Sequence, residues 1–528
     1  MKKTVTFGEI MLRLKTPEHM RIVQTDGFEA SYGGAEANVA VSLAVLKDPV
    51  SFVTKLPDNP VGTAALNEVR RYGADTSKVV VGGSRLGIYF FEKGTDIRPT
   101  NVVYDREGSA LALAKPEEFH WDEILKDTDI FCLSLMTSNA PRGYELADII
   151  HKHSTARVIM GGMHPTWLPE EALQHADQVI VGEGEKVILD VVEGRLNTRI
   201  VQGISLTNVD EAPFPDYSIL KTPCVAANVI STRGCPYRCT FCTTSRMFAP
   251  YRQRSVDNVI DEIRMYKQMG FRYLNFEDDN FTADKERAKD ICRRMIAEHL
   301  TFKESFFFGR TDLANDAELL QLLHDAHLTR VLIGIESLNQ NALDEIHKGQ
   351  NIEDIRKAGA ACEKYKIRMI ASIVLGLDED TKKDMDRSVA FAKSIHAYQL
   401  QPAILTPFPG TPVYDQFCQD HRMITSDWSR FDMMNVTFLP KHMSPWELQE
   451  TFYEASKYFY DFKSVKDIRQ IFGAEYAFRR FGLAIMARLG VFGAHVASKV
   501  AKGSVYYDLR HYSSKESTAS ASKVTDVT

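Results

Sequence analysis

Three cysteines fall within eight residues, Cys235-Pro-Tyr-Arg-Cys239-Thr-Phe-Cys242, spaced too tightly to pair with one another as disulfides. Three thiolates at this spacing suit a cubane 4Fe-4S cluster, which ordinarily takes four. The missing ligand leaves one iron free to chelate a substrate or cofactor. Two other readings stay open on the residues alone. One is a zinc claw completed by a distant ligand, although zinc sites more often use CxxC pairs separated by a longer loop. The other is chance clustering among eight cysteines.

The elements around the claw must position whatever completes the site. Residues 225–232 (VAANVIST) read as a buried strand that delivers Arg233-Gly234-Cys235 to its C-terminal end, and 256–269 carries apolar residues at helical spacing. Further strand patterns lie at 273–276, 305–308, 330–335, 368–375 and 399–405, with helical patterns between them. Six parallel strands alternating with helices predict an α/β fold, a partial (β/α)6 barrel with ligands at the C-terminal strand ends. Those ends carry Glu277-Asp278-Asp279, Gly309-Arg310-Thr311-Asp312, Gly334-Ile335-Glu336-Ser337, Leu375-Gly376 and Thr406-Pro-Phe-Pro-Gly-Thr-Pro412. Any one of these alone reads as a solvated loop or a cap. Their recurrence at successive strand ends carries the functional reading.

The CxxxCxxC spacing, with Phe241 just before the last cysteine, resembles the signature of the radical S-adenosylmethionine superfamily. The resemblance implies that Cys235, Cys239 and Cys242 hold a 4Fe-4S cluster, and that the amino and carboxylate groups of S-adenosylmethionine bind the open iron. An electron from the cluster then cleaves the sulfonium to a 5′-deoxyadenosyl radical. Glu277 and Asp278 stand where the family places a glycine-glycine-glutamate motif that holds the amino group, although no glycine pair is present. Arg310 would meet the methionine carboxylate and Glu336 the ribose. Gly376 would let the backbone approach the adenine.

Upstream, strand patterns at 129–137 and 157–160 end in Ser134-Leu135 and Gly161-Gly162, and 176–181 leads into Gly182-Glu183-Gly184-Glu185. This resembles the latter half of the Rossmann-like cobalamin-binding domain of radical methyltransferases and cyclases. The resemblance implies that Ser134, Gly161 and Gly162 face the cofactor. His164 reads as a structural histidine rather than a cobalt ligand, and Pro213-Phe-Pro-Asp-Tyr217 as a rigid linker into the barrel.

The first 125 residues follow another plan. Gly33-Gly34-Ala-Glu-Ala-Asn38 opening a helix, Asp58-Asn-Pro-Val-Gly62 and the 85–105 stretch resemble the amino-terminal part of a ribokinase-family 2-keto-3-deoxygluconate kinase. The resemblance implies sugar-acid contacts at Gly34, Asn38, Tyr104 and Arg106. It stops near residue 125, and the Gly-Ala-Gly-Asp motif that supplies a kinase's catalytic base occurs nowhere in the 528 residues, so no phosphoryl transfer is expected. The cobalamin domain also lacks its first strands, which kinase-like strands are not expected to replace, and this predicts weak cobalamin binding at best. The expected order is a truncated ribokinase-like segment (1–125), a partial cobalamin-binding half-domain (126–197), a linker (198–222) and the radical barrel (223–425). A helical region (426–512) and a disordered tail (513–528) follow.

A net charge of −6 and the lack of an arginine-rich stripe argue against nucleic acid as a partner. The free-cysteine usage and the absence of an apolar signal core after Met1-Lys-Lys predict a reducing, cytoplasmic setting. Cys132, Cys224, Cys292, Cys362 and Cys418 read as small core residues. Residues 428–460 read as a helical cap. Residues 481–500 are apolar but interrupted by Arg488, His495 and Lys499, which predicts a packing helix in preference to an interfacial one. The expected partners are a small-molecule or lipid-like substrate and a reductant such as flavodoxin or ferredoxin. Two functions compete: a radical methyltransferase or cyclase, and a non-catalytic sugar-acid-binding fusion.

Overall fold

The computed structural model describes residues 4–17, 22, 25–45, 47, 49–92, 101–105, 108–124, 130–215, 217, 226–500 and 505–512. Arg106, Cys224, the junction near 125 and the tail from 513 lie outside them.

Six parallel strands form one sheet in chain order: Ala226–Val229, Tyr273–Phe276, Glu304–Gly309, Arg330–Glu336, Arg368–Leu375 and Gln399–Ile404. The long helix after each of the first five strands starts at a residue whose side chain takes up a free N–H of the first turn: Ser255, Asp284, Asp316, Asn351 and Thr381. Their apolar faces bury Ile260, Ile263, Ile291, Leu320 and Ile355 against Leu274, Phe307, Ile333 and Ile373 of the sheet. The result is the open α/β barrel that the alternating pattern predicts.

Two elements differ from the reading of the sequence. The strand expected over 225–232 is split. Ala226–Val229 joins the barrel, whereas Thr232–Arg233 pairs antiparallel with Arg252–Gln253 in a separate hairpin. The turn between them is fixed by Asp278, whose bonds no local pattern reveals. The cap expected as helix throughout 428–460 holds a short 3-10 turn, Trp428–Arg430, and a helix only from Pro445 to Phe459. Ser444 and Glu447 cap that helix reciprocally, and Pro445 starts it.

Upstream, Ile130–Ser134, Arg157–Gly161, Gln178–Val181 and Ile200–Gln202 make a four-stranded parallel sheet with Ile130–Ser134 at one edge. The amino-terminal strands do not extend it. They form a four-stranded sheet of Glu29–Gly33, Met11–Lys15, Ile88–Glu92 and Asn101–Asp105, and the pairs Thr4–Phe7 with Val50–Val53 and Lys55–Leu56 with Val80–Val81. Contact between the two bodies runs through Phe131, which packs beside Val53, Phe119 and Ile124. At the other end, the helix expected over 481–500 begins at Ala474 and runs to Val500. It packs as expected through the small face of Ala477, Ala484, Val491 and Ala494, with Arg480 and Arg488 turned inward to backbone carbonyls, but its phenylalanines turn outward.

Candidate active site

Asp278 is fully buried at the end of the second barrel strand. One carboxylate oxygen accepts from the backbone N–H groups of Ser231 (2.6 Å) and Thr232 (2.5 Å), and the other from the Ser231 hydroxyl (2.7 Å). Arg287 completes the knot, donating to the Ser231 hydroxyl and carbonyl at 3.1 Å each. Asp278 thus spends its oxygens fixing the turn that launches Arg233-Gly234-Cys235. Burial raises its carboxyl, a shift opposed by the bonds from Ser231 and Thr232. Exchange of Asp278 for alanine is expected to cost about 3 kcal/mol or more, because several buried donors lose their acceptor at once. Thermal denaturation checks this.

The claw loop then turns at Gly234, whose φ is +76° and whose added Cβ would lie 2.5 Å from the Phe248 carbonyl oxygen. Glycine is required there. Cys239 is buried, Cys235 and Cys242 are half-buried, and all three are unpaired. Cys235 senses the charge of Cys239 and Cys242, and Cys239 that of Cys242, so the three thiols share one neighbourhood. Burial raises the Cys235 and Cys239 thiols. As bare thiols they stay protonated, and only a metal centre repays their ionisation. Among the described residues no three His, Cys, Asp or Glu side chains close on a single ion.

Around Cys239 the third and fourth strand ends supply two cations. Arg310 stacks on the Tyr237 ring at 3.8 Å and donates to the Lys348 carbonyl. Lys348 forms a buried ion pair with Glu336, over a bare Gly334 where a Cβ would collide with both side chains. Lys348 and Arg310 lower the Cys239 thiol and Glu336 raises it, all secondary to burial. The Thr240 N–H donates to the Ile346 carbonyl, tying the claw to the loop that carries Lys348. Lys348 went unread in the sequence because it follows a short helix rather than a strand. Asp279 was passed over for its neighbours, yet its charge reaches Cys235; although it keeps an exposed surface, partial desolvation together with Asp278 pushes its carboxyl up to about 6. Glu277 is exposed, its carboxyl raised by partial burial and by Asp278.

The five residues expected at the S-adenosylmethionine site are therefore not equivalent. Arg310 and Glu336 stand by Cys239, Asp278 lies beneath the claw, and Glu277 sits at the rim. Gly376, with φ +88°, faces the cap: a Cβ there would meet Leu448 at 2.6 Å. None of the five lines the 160 Å³ cavity that Thr240 shares with Leu377, Asp378 and Phe417.

Below Glu336, the Ser337 hydroxyl donates to Asp380 at 2.9 Å while the second Asp380 oxygen is buried without a partner. Burial pushes this carboxyl up to about 7. The folded value exceeds the ordinary one, so its contribution is complete below about pH 4 and is lost as pH rises through 7. Asp380→Asn is expected to stabilise the fold at pH 8 by an amount on the order of 3 kcal/mol, and hardly at pH 4. Melting curves across that range check the slope.

A second cavity, of 410 Å³, opens at the C-terminal ends of the four-stranded sheet. Ser134, Gly161 and Gly162 line it, together with Gly182, Glu183, Gly184, and Met247 and Phe248 from the loop after the claw. Cys132, expected as core, lines it too. Glu183 joins the two bodies: it is buried and pairs with Arg252 and with Arg233 (2.7 Å), the residue two before Cys235. Burial pulls its carboxyl up, but bonds from Arg252, Ser205 and Arg233 outweigh that and hold it below the usual range. His164 is buried, bonds Glu171 at 3.1 Å and stays out of the cavity.

In the amino-terminal body a Cβ on Gly34 would lie 1.7 Å from the Glu9 carbonyl oxygen, so close approach of backbone requires that glycine. Asn38 is half-buried in the helix Ala35–Val45. Tyr104 pairs through its backbone with Tyr89.

Residues 229–392 match the Radical SAM superfamily and residues 1–189 the pfkB family of carbohydrate kinases. The kinase match thus runs past the break expected at 125, into the first three strands of the parallel sheet. An uncharacterized methyltransferase of Pyrococcus horikoshii is 27% identical over 364 residues, covering 63% of this chain and 79% of the relative. A bacteriochlorophyllide d C-12(1)-methyltransferase of Chlorobaculum tepidum is 26% identical, covering 63% and 75%. An anaerobic magnesium-protoporphyrin IX monomethyl ester cyclase of Cereibacter sphaeroides is 24% identical, covering 66% and 61%. A 2-dehydro-3-deoxygalactonokinase of Haloferax volcanii is 40% identical over 133 residues, but the chain spans only 42% of it. The radical S-adenosylmethionine methyltransferase TsrM from Kitasatospora setae, solved with cobalamin and a [4Fe-4S] cluster, superposes with a TM-score of 0.52. It has 14% identity and covers 83% of this chain and 99% of its own. The chain thus carries a radical S-adenosylmethionine domain over residues 229–392 and a pfkB-like amino-terminal region. The relatives of its radical domain include methyltransferases and cyclases, and its fold resembles that of TsrM.

Proposed function

We propose that the chain transfers a methyl group to an unactivated carbon, with a 4Fe-4S cluster on Cys235, Cys239 and Cys242 and cobalamin in the 410 Å³ cavity. The observation that carries the reading is the position of that cavity: it opens between the sheet ends and the loop following the claw, and Glu183 clamps the two together. Its glycines argue for an occupant. A Cβ on Gly161 or Gly184 would meet nothing nearer than 3.6 Å within the protein, so packing does not demand glycine there, and a large flat ligand lying on the backbone does. The chain's residues bind and orient: Arg310 offers a cation for a carboxylate, Lys348 and Glu336 hold a charge pair beside the reacting centre, and Asp279 is an acid within reach of Cys235. When bound, the cluster supplies the electron that cleaves S-adenosylmethionine, and cobalamin a methyl carrier. A flavodoxin- or ferredoxin-like reductant in a reducing cytoplasm would renew that electron.

The sequence predicts weak cobalamin binding; the glycine-floored cavity leads us to expect the opposite. Anaerobic titration with methylcobalamin should saturate at about one per chain. Gly161→Leu should weaken binding about tenfold or more while leaving the melting temperature nearly unchanged. Absence of saturable binding by the wild type would leave cyclisation without cobalamin as the surviving radical reaction.

A further inference from the structure

The helix Ala474–Val500 is turned inside out by the usual rule. Phe478, Met486, Leu489 and Phe492 are 77%, 67%, 65% and 70% exposed, with Phe481 and Ile485 beside them, whereas Arg480 is 2% exposed. The exposed positions recur every three to four residues, so they form one stripe along the helix, and no acidic or basic residue interrupts it before Lys499. The stripe shares its glycines too: Gly482, Gly490 and Gly493 have nothing within 4 Å of an added Cβ. A contiguous apolar face of this length exists to be covered.

We propose that this face lies in the headgroup region of an anionic membrane, the helix parallel to its surface. Spanning is excluded by the other side of the same helix. Arg480 donates to the Tyr398 and Phe459 carbonyls and the Ser464 hydroxyl, Arg488 to the Tyr460 carbonyl, and His495 meets Glu450. Inserting the helix would strip these groups and drag three guanidinium ions, those of Arg479, Arg480 and Arg488, into hydrocarbon. Charge chooses lipid over a second copy of the chain. Residues 463–500 hold seven Lys and Arg against two Asp and Glu, in a protein of net charge −6. Lys463, Lys466 and Arg469 are exposed on the preceding segment, which packs along the first half of the helix where Phe462 meets Phe481, and Lys499 is exposed at its far end. Two such segments facing each other would repel, whereas anionic headgroups attract these cations. The helix also runs the depth of the barrel, from Tyr398 at the start of the last strand to Trp446 and Glu450 of the cap, so docking brings the rim of the mouth to the lipid.

Flotation of the anaerobic full-length protein with vesicles tests this. The protein should bind phosphatidylcholine vesicles containing about a third phosphatidylglycerol at least about tenfold better than pure phosphatidylcholine vesicles, and high salt should weaken the difference. The triple change Phe478→Gln, Met486→Gln, Phe492→Gln should abolish flotation and leave S-adenosylmethionine cleavage unchanged. If that variant does not fold, Lys466→Glu with Arg469→Glu should remove the preference for anionic vesicles. Wild-type protein that stays with the soluble fraction overturns the proposal. So does a wild-type dimer that the triple change converts to monomer without vesicle binding.

Discussion

Cys239→Ala is expected to reduce 5′-deoxyadenosine formation roughly a thousand-fold or more, equivalent to ~4 kcal/mol of barrier. Cys239 is the buried member of the claw and the one that Arg310, Lys348 and Glu336 surround. Removing it leaves two half-buried thiols, which cannot hold a four-iron cube. The comparison that isolates the chemistry is Cys362→Ala, a buried cysteine in a barrel helix. It should cost ~1 kcal/mol in packing and leave cleavage intact. Product assays on both variants, after equal reconstitution, settle the matter. Cleavage retained in Cys239→Ala would show that the claw is not the site.

Glu183→Ala should be the most damaging change outside the claw. It leaves the buried Arg252 with no counter-charge and Arg233 with only the exposed Glu185, a loss on the order of 3 kcal/mol. Those two arginines lie opposite each other in the hairpin that carries the claw, and Arg252 also holds the Leu206 carbonyl at 2.7 Å. Cleavage should therefore fall together with stability. Because the folded Glu183 carboxyl lies below its ordinary value, its contribution is present above about pH 4.5 and disappears as the pH falls through the folded value. Wild type and variant should thus converge on acidification. Equal melting temperatures at neutral pH would refute the clamp.

The barrel was legible because each strand is a short apolar run followed by a capped amphipathic helix, a pattern that survives without tertiary information. The claw was legible because its ligands are adjacent in sequence. What escaped depends on partners far apart in the chain. Asp278 and Asp279 are neighbours of the same type, and only the turn at Ser231, 47 residues earlier, makes one a strut and leaves the other for the site. Lys348 owes its place to Glu336 and to the bare Gly334. Glu183 reads as one acid in a glycine-rich turn until the hairpin from 232 to 253 reaches it. The outer helix was half read for a related reason. Its arginines look like interruptions of a packing face, but Arg480 and Arg488 belong to that face with Ala477, Ala484, Val491 and Ala494, and the larger apolar residues point away.

The most direct measurement is iron, sulfide and electron paramagnetic resonance analysis of anaerobically reconstituted protein, with and without S-adenosylmethionine. The account predicts about four irons and four sulfides per chain and a reduced-cluster signal that changes when S-adenosylmethionine is added, because one iron has no protein ligand. Protein without labile sulfide, or a cluster signal indifferent to S-adenosylmethionine, would contradict it.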